Sequence, residues 1–219
     1  MLLRLRVSLP DRPGGLGQVA KALGALGADI LQVTVLEREA GRAVDDFTVT
    51  WPGLADATEA RERMSAVPGV RVEGVWATRD APGSAPDYDL LMHVAAEPAR
   101  GYATLVDALP ALCGAEWSVA VADGAVRHAS LAAPAEFDLP EPPPRAITMD
   151  AEELRLMLLP VVAAGLHVVV ARAEGPVFHR AEVERAARIV DVVSRMAARV
   201  QTGSSPAENG LGARDEARR

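Results

Sequence analysis

The chain has 219 residues, a formal net charge of −7 and a single cysteine. That length can bury one or two cores of ordinary size, so two domains are expected. The acidic balance argues against a nucleic-acid surface, which needs clustered positive charge, and no apolar run of about eighteen residues exists to cross a membrane.

Leu3, Leu5, Val7 and Leu9 alternate with Arg4, Arg6 and Ser8, the period of a half-buried strand. Leu16, Val19, Ala20, Leu23 and Leu26 then recur at helical spacing. Between them stands Asp11-Arg12-Pro13-Gly14-Gly15-Leu16. Pro13 sets its φ for a first helical turn, while Gly14 and Gly15 let a ligand approach the backbone. The first turn of a helix has spare N–H groups and partial positive charge, so it can hold a carboxylate. Asp11 can accept a hydrogen bond from a neighbouring ammonium, and an α-amino acid carries both groups. An empty structural turn is the competing reading of Pro-Gly-Gly.

Ile30 to Glu37 is rich in β-formers, Gly41-Arg42 marks a turn, and Phe47, Val49 and Trp51 alternate with Thr48 and Thr50. Ala57, Ala60, Met64 and Val67 give a second helical face, and Val70, Val72 and Trp76 belong to a last strand. The order is βαββαβ over residues 1–78, a split βαβ layout that buries one sheet face under two helices.

Residues 79–86 hold Asp-Ala-Pro-Gly-Ser-Ala-Pro and read as a linker, and residues 201–219 read as a disordered tail. Within residues 87–200, the stretch 87–97 fits a helix and a strand equally well. Leu105, Val106, Leu109, Leu112 and Cys113 form a helical face that Pro110 should kink or shorten, with Gly114 as a stop. Trp117 to Val121 and Val126 to Ala132 flank Asp123-Gly124 as a hairpin. Pro134 to Pro144 is expected to be a loop. Leu154 to Val161 and Leu166 to Ala173 should pair as a second hairpin. After Gly175-Pro176-Val177-Phe178 comes a long helix whose Val183, Ala186, Val190, Val193, Ala197 and Val200 form a heptad-like seam.

The opening strand, the Asp-Arg-Pro-Gly-Gly-Leu turn and the helix running into Gly27-Ala28-Asp29-Ile30 resemble the start of an ACT domain. The resemblance implies a homodimer in which a small-molecule effector, an amino acid, sits between the Asp11 to Leu16 loop of one subunit and the helix-to-strand turn of its neighbour. Its site residues would be Asp11, Arg12, Pro13, Gly14, Gly15, Leu16, Asp29 and Ile30. The family commonly has Asn at that second turn; Asp29 would instead favour an ammonium or hydroxyl and repel a carboxylate, with Arg12 offsetting its charge. Residues 87–200 resemble a GAF domain in layout, from Leu158-Leu159-Pro160 through Met196. Of the cyclic-nucleotide signature of that family only Phe178 and Glu182 are present. A rival reading makes the region a second ACT-like unit, against which the long terminal helix tells. The expected fold class is therefore α+β: a ferredoxin-like βαββαβ (ACT) domain plus a GAF-like antiparallel sheet with flanking helices.

No catalytic constellation stands out. His93, His128, His167 and His179 share no ligand-like spacing, and Cys113 lacks a sequence-adjacent base. Glu152-Glu153 and Asp45-Asp46 read as solvated charge, since neighbours on a strand point to opposite faces. No metal, cofactor, nucleic acid or membrane is expected as a partner. With no signal sequence at its start and no partner for Cys113 in an internal disulfide, the chain is expected to be cytoplasmic. The function expected is non-catalytic regulation: an amino acid or similar metabolite is bound and its presence signalled to a protein partner. An enzyme with an unrecognised site in the second unit, or a ligand-free structural dimer, are the alternatives.

Overall fold

Residues 1–52, 57–78, 83, 85–151 and 153–203 are described by the computed structural model. Alternation over the first residues makes strand β1 (Leu2–Pro10), and helix α1 (Gly15–Ala25) follows the Pro-Gly-Gly turn. Strands β2 (Asp29–Glu39) and β3 (Arg42–Thr50), helix α2 (Ala57–Ser65) and strand β4 (Arg71–Ala77) complete the βαββαβ order. The sheet is antiparallel with strand order β2-β3-β1-β4. Leu3, Leu5, Val7, Leu9, Phe47 and Val49 pack with Val19, Leu23, Ala60 and Met64 of the two helices. Burying those apolar side chains on one sheet face is what holds this unit together.

β1 is not the half-buried strand that its alternation suggests. On its second face Arg6 and Ser8 are buried too, as are Asp46 and Thr48 of β3, because the rest of the chain packs there. Asp45 and Asp46, read as solvated charge, are both buried. Alternation reports two chemically different faces; it does not report that the polar one is wet.

Most of the expected linker lies outside the described residues, and its last residue, Pro86, already opens helix α3 (Pro86–Ala96). Residues 87–96 are therefore helix, with Glu97 as its cap. Pro86 sits in the first turn with Asp87 and Asp89, where missing and exposed N–H groups are tolerated or complemented, and Leu90 and Val94 are buried on one face. Helix α4 (Gly101–Cys113) continues past Pro110 and ends where Gly114 adopts the left-handed conformation. Proline removes the hydrogen bond to the carbonyl four residues back, which is that of Val106. Ser118 Oγ donates to that carbonyl instead.

Strands β5 (Trp117–Ala122) and β6 (Ala125–Ala129) form the expected hairpin, with Asp123 and Gly124 both at positive φ. Strand β7 (Ile147–Ala151) has no counterpart among the sequence expectations. It is short, half-exposed and paired only to β8 (Leu154–Val161), which turns back into β9 (Leu166–Arg172). The second sheet is antiparallel, in the order β6-β5-β9-β8-β7.

Helices α3, α4 and α5 (Arg180–Gly203) pack on one face of that sheet through Leu90, Leu105, Leu109, Val190 and Val193. On the other face Phe137, from the proline-rich loop, lies 4.9 Å from the Trp117 ring. Both faces are covered, which is why β8 and β9 read as continuous apolar runs. The seam of α5 turns inward: Val183, Ala186, Val190, Val193 and Ala197 are buried in this chain's own core, so these five residues are not a dimer contact. The helix continues to Gly203, past the expected boundary at 200; the rest of the expected tail lies outside the described residues.

Candidate functional site

The chain leaves β1 at Pro10, and Asp11 N–H donates to the Gly41 carbonyl of the neighbouring hairpin turn. Gly14 then caps α1 at φ +86°, a left-handed conformation that glycine adopts without strain. Gly15 has a different role from the one its sequence suggests. A Cβ there would lie 2.9 Å from the Pro10 carbonyl oxygen and 3.2 Å from Leu9 Cδ1. Its missing side chain lets α1 start close against β1; it does not clear room for a ligand.

Beside this turn is a cavity of about 360 Å³ lined by Leu9, Pro10, Asp11, Arg12, Pro13, Gly14, Leu16, Val35, Arg38, Ala43 and Asp45. Five of the eight expected site residues therefore border one space: Asp11, Arg12, Pro13, Gly14 and Leu16, the last 44% exposed. Gly15 does not line it. Asp29 and Ile30 lie at the other end of β2 from Arg38, so one chain alone does not bring them to the cavity.

Two charged residues in the cavity wall, Arg38 and Asp45, are absent from the sequence-derived set. Arg38 holds Asp11 bidentately, with Nη2–Oδ1 at 2.6 Å and Nε–Oδ2 at 3.1 Å. This guanidinium keeps the Asp11 carboxyl below its ordinary value, and it occupies the acceptor that a ligand ammonium was expected to use. Asp45 is 1% exposed, and neither carboxylate oxygen has a hydrogen-bond partner among the described residues. Burial pushes its carboxyl above the usual value; Arg38 opposes the shift, while Asp11 and Asp46 add to it. The signal for Asp45 lay in the alternation: Ala43, Asp45, Phe47 and Val49 share one strand face, and three of them are core residues.

The opposite face of the first sheet carries a second polar cluster, at the junction with residues 86–203. Arg6 binds Asp46 through Nε and Nη2, both at 2.8 Å, and its Nη1 lies 2.9 Å from Glu182 Oε2. Glu182 Oε1 accepts from Arg172 Nη2 at 2.8 Å. Arg172 also donates to the carbonyls of Cys113, Gly114 and Pro176, which fixes the end of α4. Burial alone would lower the Arg6 pKa, and Asp46 and Glu182 more than reverse this; burial alone would raise that of Glu182, and Arg172 and Arg6 outweigh it. The Gly175-Pro176-Val177-Phe178 stretch is the docking segment here. Pro176 packs on Gly74, where a Cβ would lie 2.7 Å from its Cδ, and Arg172 stacks 4.0 Å from the Phe178 ring centroid. A cleft of about 270 Å³ adjoins the cluster and reaches Cys113, whose thiol burial pushes up to about 12. Such a thiol is a poor nucleophile.

Among the described residues no group of three His, Cys, Asp or Glu side chains is placed to hold a metal ion. His128 pairs with Asp107 and His179 with Glu37, while His167 is buried on β9. No helix among the described residues is long and apolar enough to cross a membrane.

An antiparallel sheet in the order β2-β3-β1-β4 with both helices on one face defines the ferredoxin-like class. Within that class the N-terminal unit is an ACT domain: the family model matches residues 3–69. The match supports a regulatory role in sensing a small ligand. No curated protein matches the sequence. Among solved structures, a formyltetrahydrofolate deformylase from Pseudomonas putida is similar over 43% of this chain and 37% of its own, at 18% identity and a TM-score of 0.30. An unknown protein from Galdieria sulphuraria is similar over 91% of this chain and 93% of its own, at 14% identity and a TM-score of 0.32. The regulatory subunit of aspartate kinase from Thermus flavus is similar over 89% and 92%, at 14% identity and a TM-score of 0.26.

Proposed function

We propose that this is a non-catalytic regulatory protein of the cytoplasm whose ACT domain binds an amino acid or similar small metabolite between two copies of the chain. The observation that carries the reading is the cavity at the amino end of α1, formed where the sequence places a Pro-Gly-Gly turn and opening beside the edge strand β2. Spare amide groups of that helix turn suit a carboxylate.

β2 also supplies the reason for a second copy. It pairs on one side only, with β3, and it exposes Leu31, Val33 and Val35. An unpaired edge with apolar side chains is a template for strand addition. Antiparallel pairing of two β2 edges sets the Asp29–Ile30 end of one copy beside the Arg38 end of the other, where Asp11 lies. Asp11, Arg12, Pro13, Gly14 and Leu16 of one copy and Asp29 and Ile30 of the other would then share one site. Residues 87–200, GAF-like in layout, would receive the change through Arg6, Glu182 and the Pro176 contact and hand it to a protein partner. Only a ligand with different affinity for two arrangements of the dimer can drive this.

A thermal-shift screen of the full chain against the standard amino acids, with mass measured by light scattering, tests the reading. A ligand at a hundred times its Kd adds about 2.7 kcal/mol, which raises Tm by about 5–10 °C for a chain of this size. A dimer and at least one such shift are expected. A monomer overturns the reading, and so does a dimer with no shift for any amino acid, which favours a ligand-free structural dimer.

A further inference from the structure

The sequence suggests Asp11 as the group that meets a ligand's ammonium, but Arg38 already holds it in a bidentate pair. One other carboxylate borders the cavity. Asp45 sits on β3 between Val7 of β1 and Val35 of β2, on the helix-covered face with Ala43 and Phe47. Val35 and Ala43 line the same cavity, as does Leu9. Its oxygens are buried and have no hydrogen-bond partner among the described residues.

A partnerless buried carboxylate costs stability, and a well-packed apolar side chain would serve the core better. Leu9 pairs with Ala43 and Leu5 with Phe47 in the registers on either side, so the neighbours of Asp45 along the sheet are apolar, and Arg38 at the cavity wall makes its hydrogen bonds to Asp11. What would offset the cost is a cation that arrives from outside. The walls around Asp45 leave room for a small organic group, and its neighbours Leu9, Val35, Ala43 and Leu16 suit an aliphatic portion.

We propose that Asp45 selects the ligand of this cavity: the site takes a small molecule with a primary ammonium, whose charge rests against the Asp45 carboxylate while its own carboxylate faces the amino end of α1. The proposal rests on the effector reading above and adds the group that decides which effectors fit. It separates α-amino acids from the corresponding 2-hydroxy acids, which have the same carboxylate and side chain but no cation.

The test is isothermal titration of the full chain with each L-amino acid that raises Tm, and with its 2-hydroxy-acid counterpart. The hydroxy acid is expected to bind at least tenfold more weakly to the wild type, which needs no variant. Asp45→Asn, of nearly equal shape, is expected to lose at least tenfold in affinity for the amino acid while remaining folded. Equal binding of the two acids by the wild type, or unchanged affinity in Asp45→Asn, overturns the assignment to Asp45 and leaves the effector reading intact. Absence of binding by every amino acid to the wild type overturns both.

Discussion

Arg6 Nη1 and Glu182 Oε2 meet at 2.9 Å across the boundary between the ACT sheet and the long helix α5. Glu182 serves two guanidiniums at once, since Arg172 holds its other oxygen, and Asp46 completes a buried chain of two positive and two negative groups. Taking one carboxylate out of such a chain leaves buried positive charge without its partner. Glu182→Gln is therefore expected to cost about 3–5 kcal/mol in urea denaturation. Asp191→Asn, which breaks the exposed Arg195–Asp191 pair on the same helix, should cost about 0.5 kcal/mol or less. Equal costs would mean that the junction cluster does not hold the two units together.

Acid should act on Glu182 and Asp45 in opposite senses. The folded value of Glu182 lies below its ordinary 4.5, so its stabilisation is complete above that value and fades as pH falls through the lower folded one. The Asp45 value is raised above 3.8. Its charged form is thus penalised in the native state at neutral pH, and the penalty is relieved as pH falls through the raised value. The groups acting on it are Arg38, Asp11 and Asp46. Asp45→Asn is expected to be more stable than the wild type by about 1–3 kcal/mol at neutral pH, with the gap closing as pH falls to about 3.8. Denaturation series at several pH values read the difference directly; a constant gap would show that Asp45 does not titrate abnormally.

The ACT half was legible because each element announced itself in a local pattern: alternation in Leu3 to Leu9, helical spacing from Leu16, alternation again in Phe47 to Trp51. Local patterns carry no information on what covers the second face of a sheet. Arg6 and Asp46 therefore looked like surface residues, though they form the junction with Arg172 and Glu182. The Asp11–Arg38 pair depends on β2 returning alongside the first loop, which spacing does not reveal. β7 was missed for a simpler reason: five residues with a mixed burial pattern give too short a run for periodicity to act on. Asp45 was visible as an acid on a core-facing register; that Asp45 and Asp46 point to opposite faces was legible too, but not that both faces are covered.

Glycine positions around the candidate site separate packing from propensity. Gly15→Ala would place its Cβ 2.9 Å from a backbone oxygen, and backbone gives way poorly. At Gly17, two residues further along α1, a Cβ meets nothing within 4 Å. Gly15→Ala is expected to destabilise by about 1–3 kcal/mol, whereas Gly17→Ala should stabilise by about 0.5–1 kcal/mol through helix propensity. Thermal melts of the two variants give the signs. A Gly15→Ala protein as stable as the wild type would show that α1 can shift away from β1 at little cost.

Ser118 and Pro110 allow a test by paired substitution. Ser118 Oγ donates to the Val106 carbonyl, which Pro110 deprives of its helical partner. Ser118 is fully buried and its own N–H is satisfied by Ser130 Oγ, so removing the hydroxyl strands a buried acceptor. Ser118→Ala is expected to cost about 1–3 kcal/mol. Pro110→Ala restores an N–H four residues after Val106, within a helix that already runs to Cys113. Adding it to Ser118→Ala should therefore recover much of the loss, which makes the pair non-additive in a double-mutant cycle. Strict additivity in urea denaturation would mean that the serine contributes through packing alone and that α4 tolerates its proline without outside help.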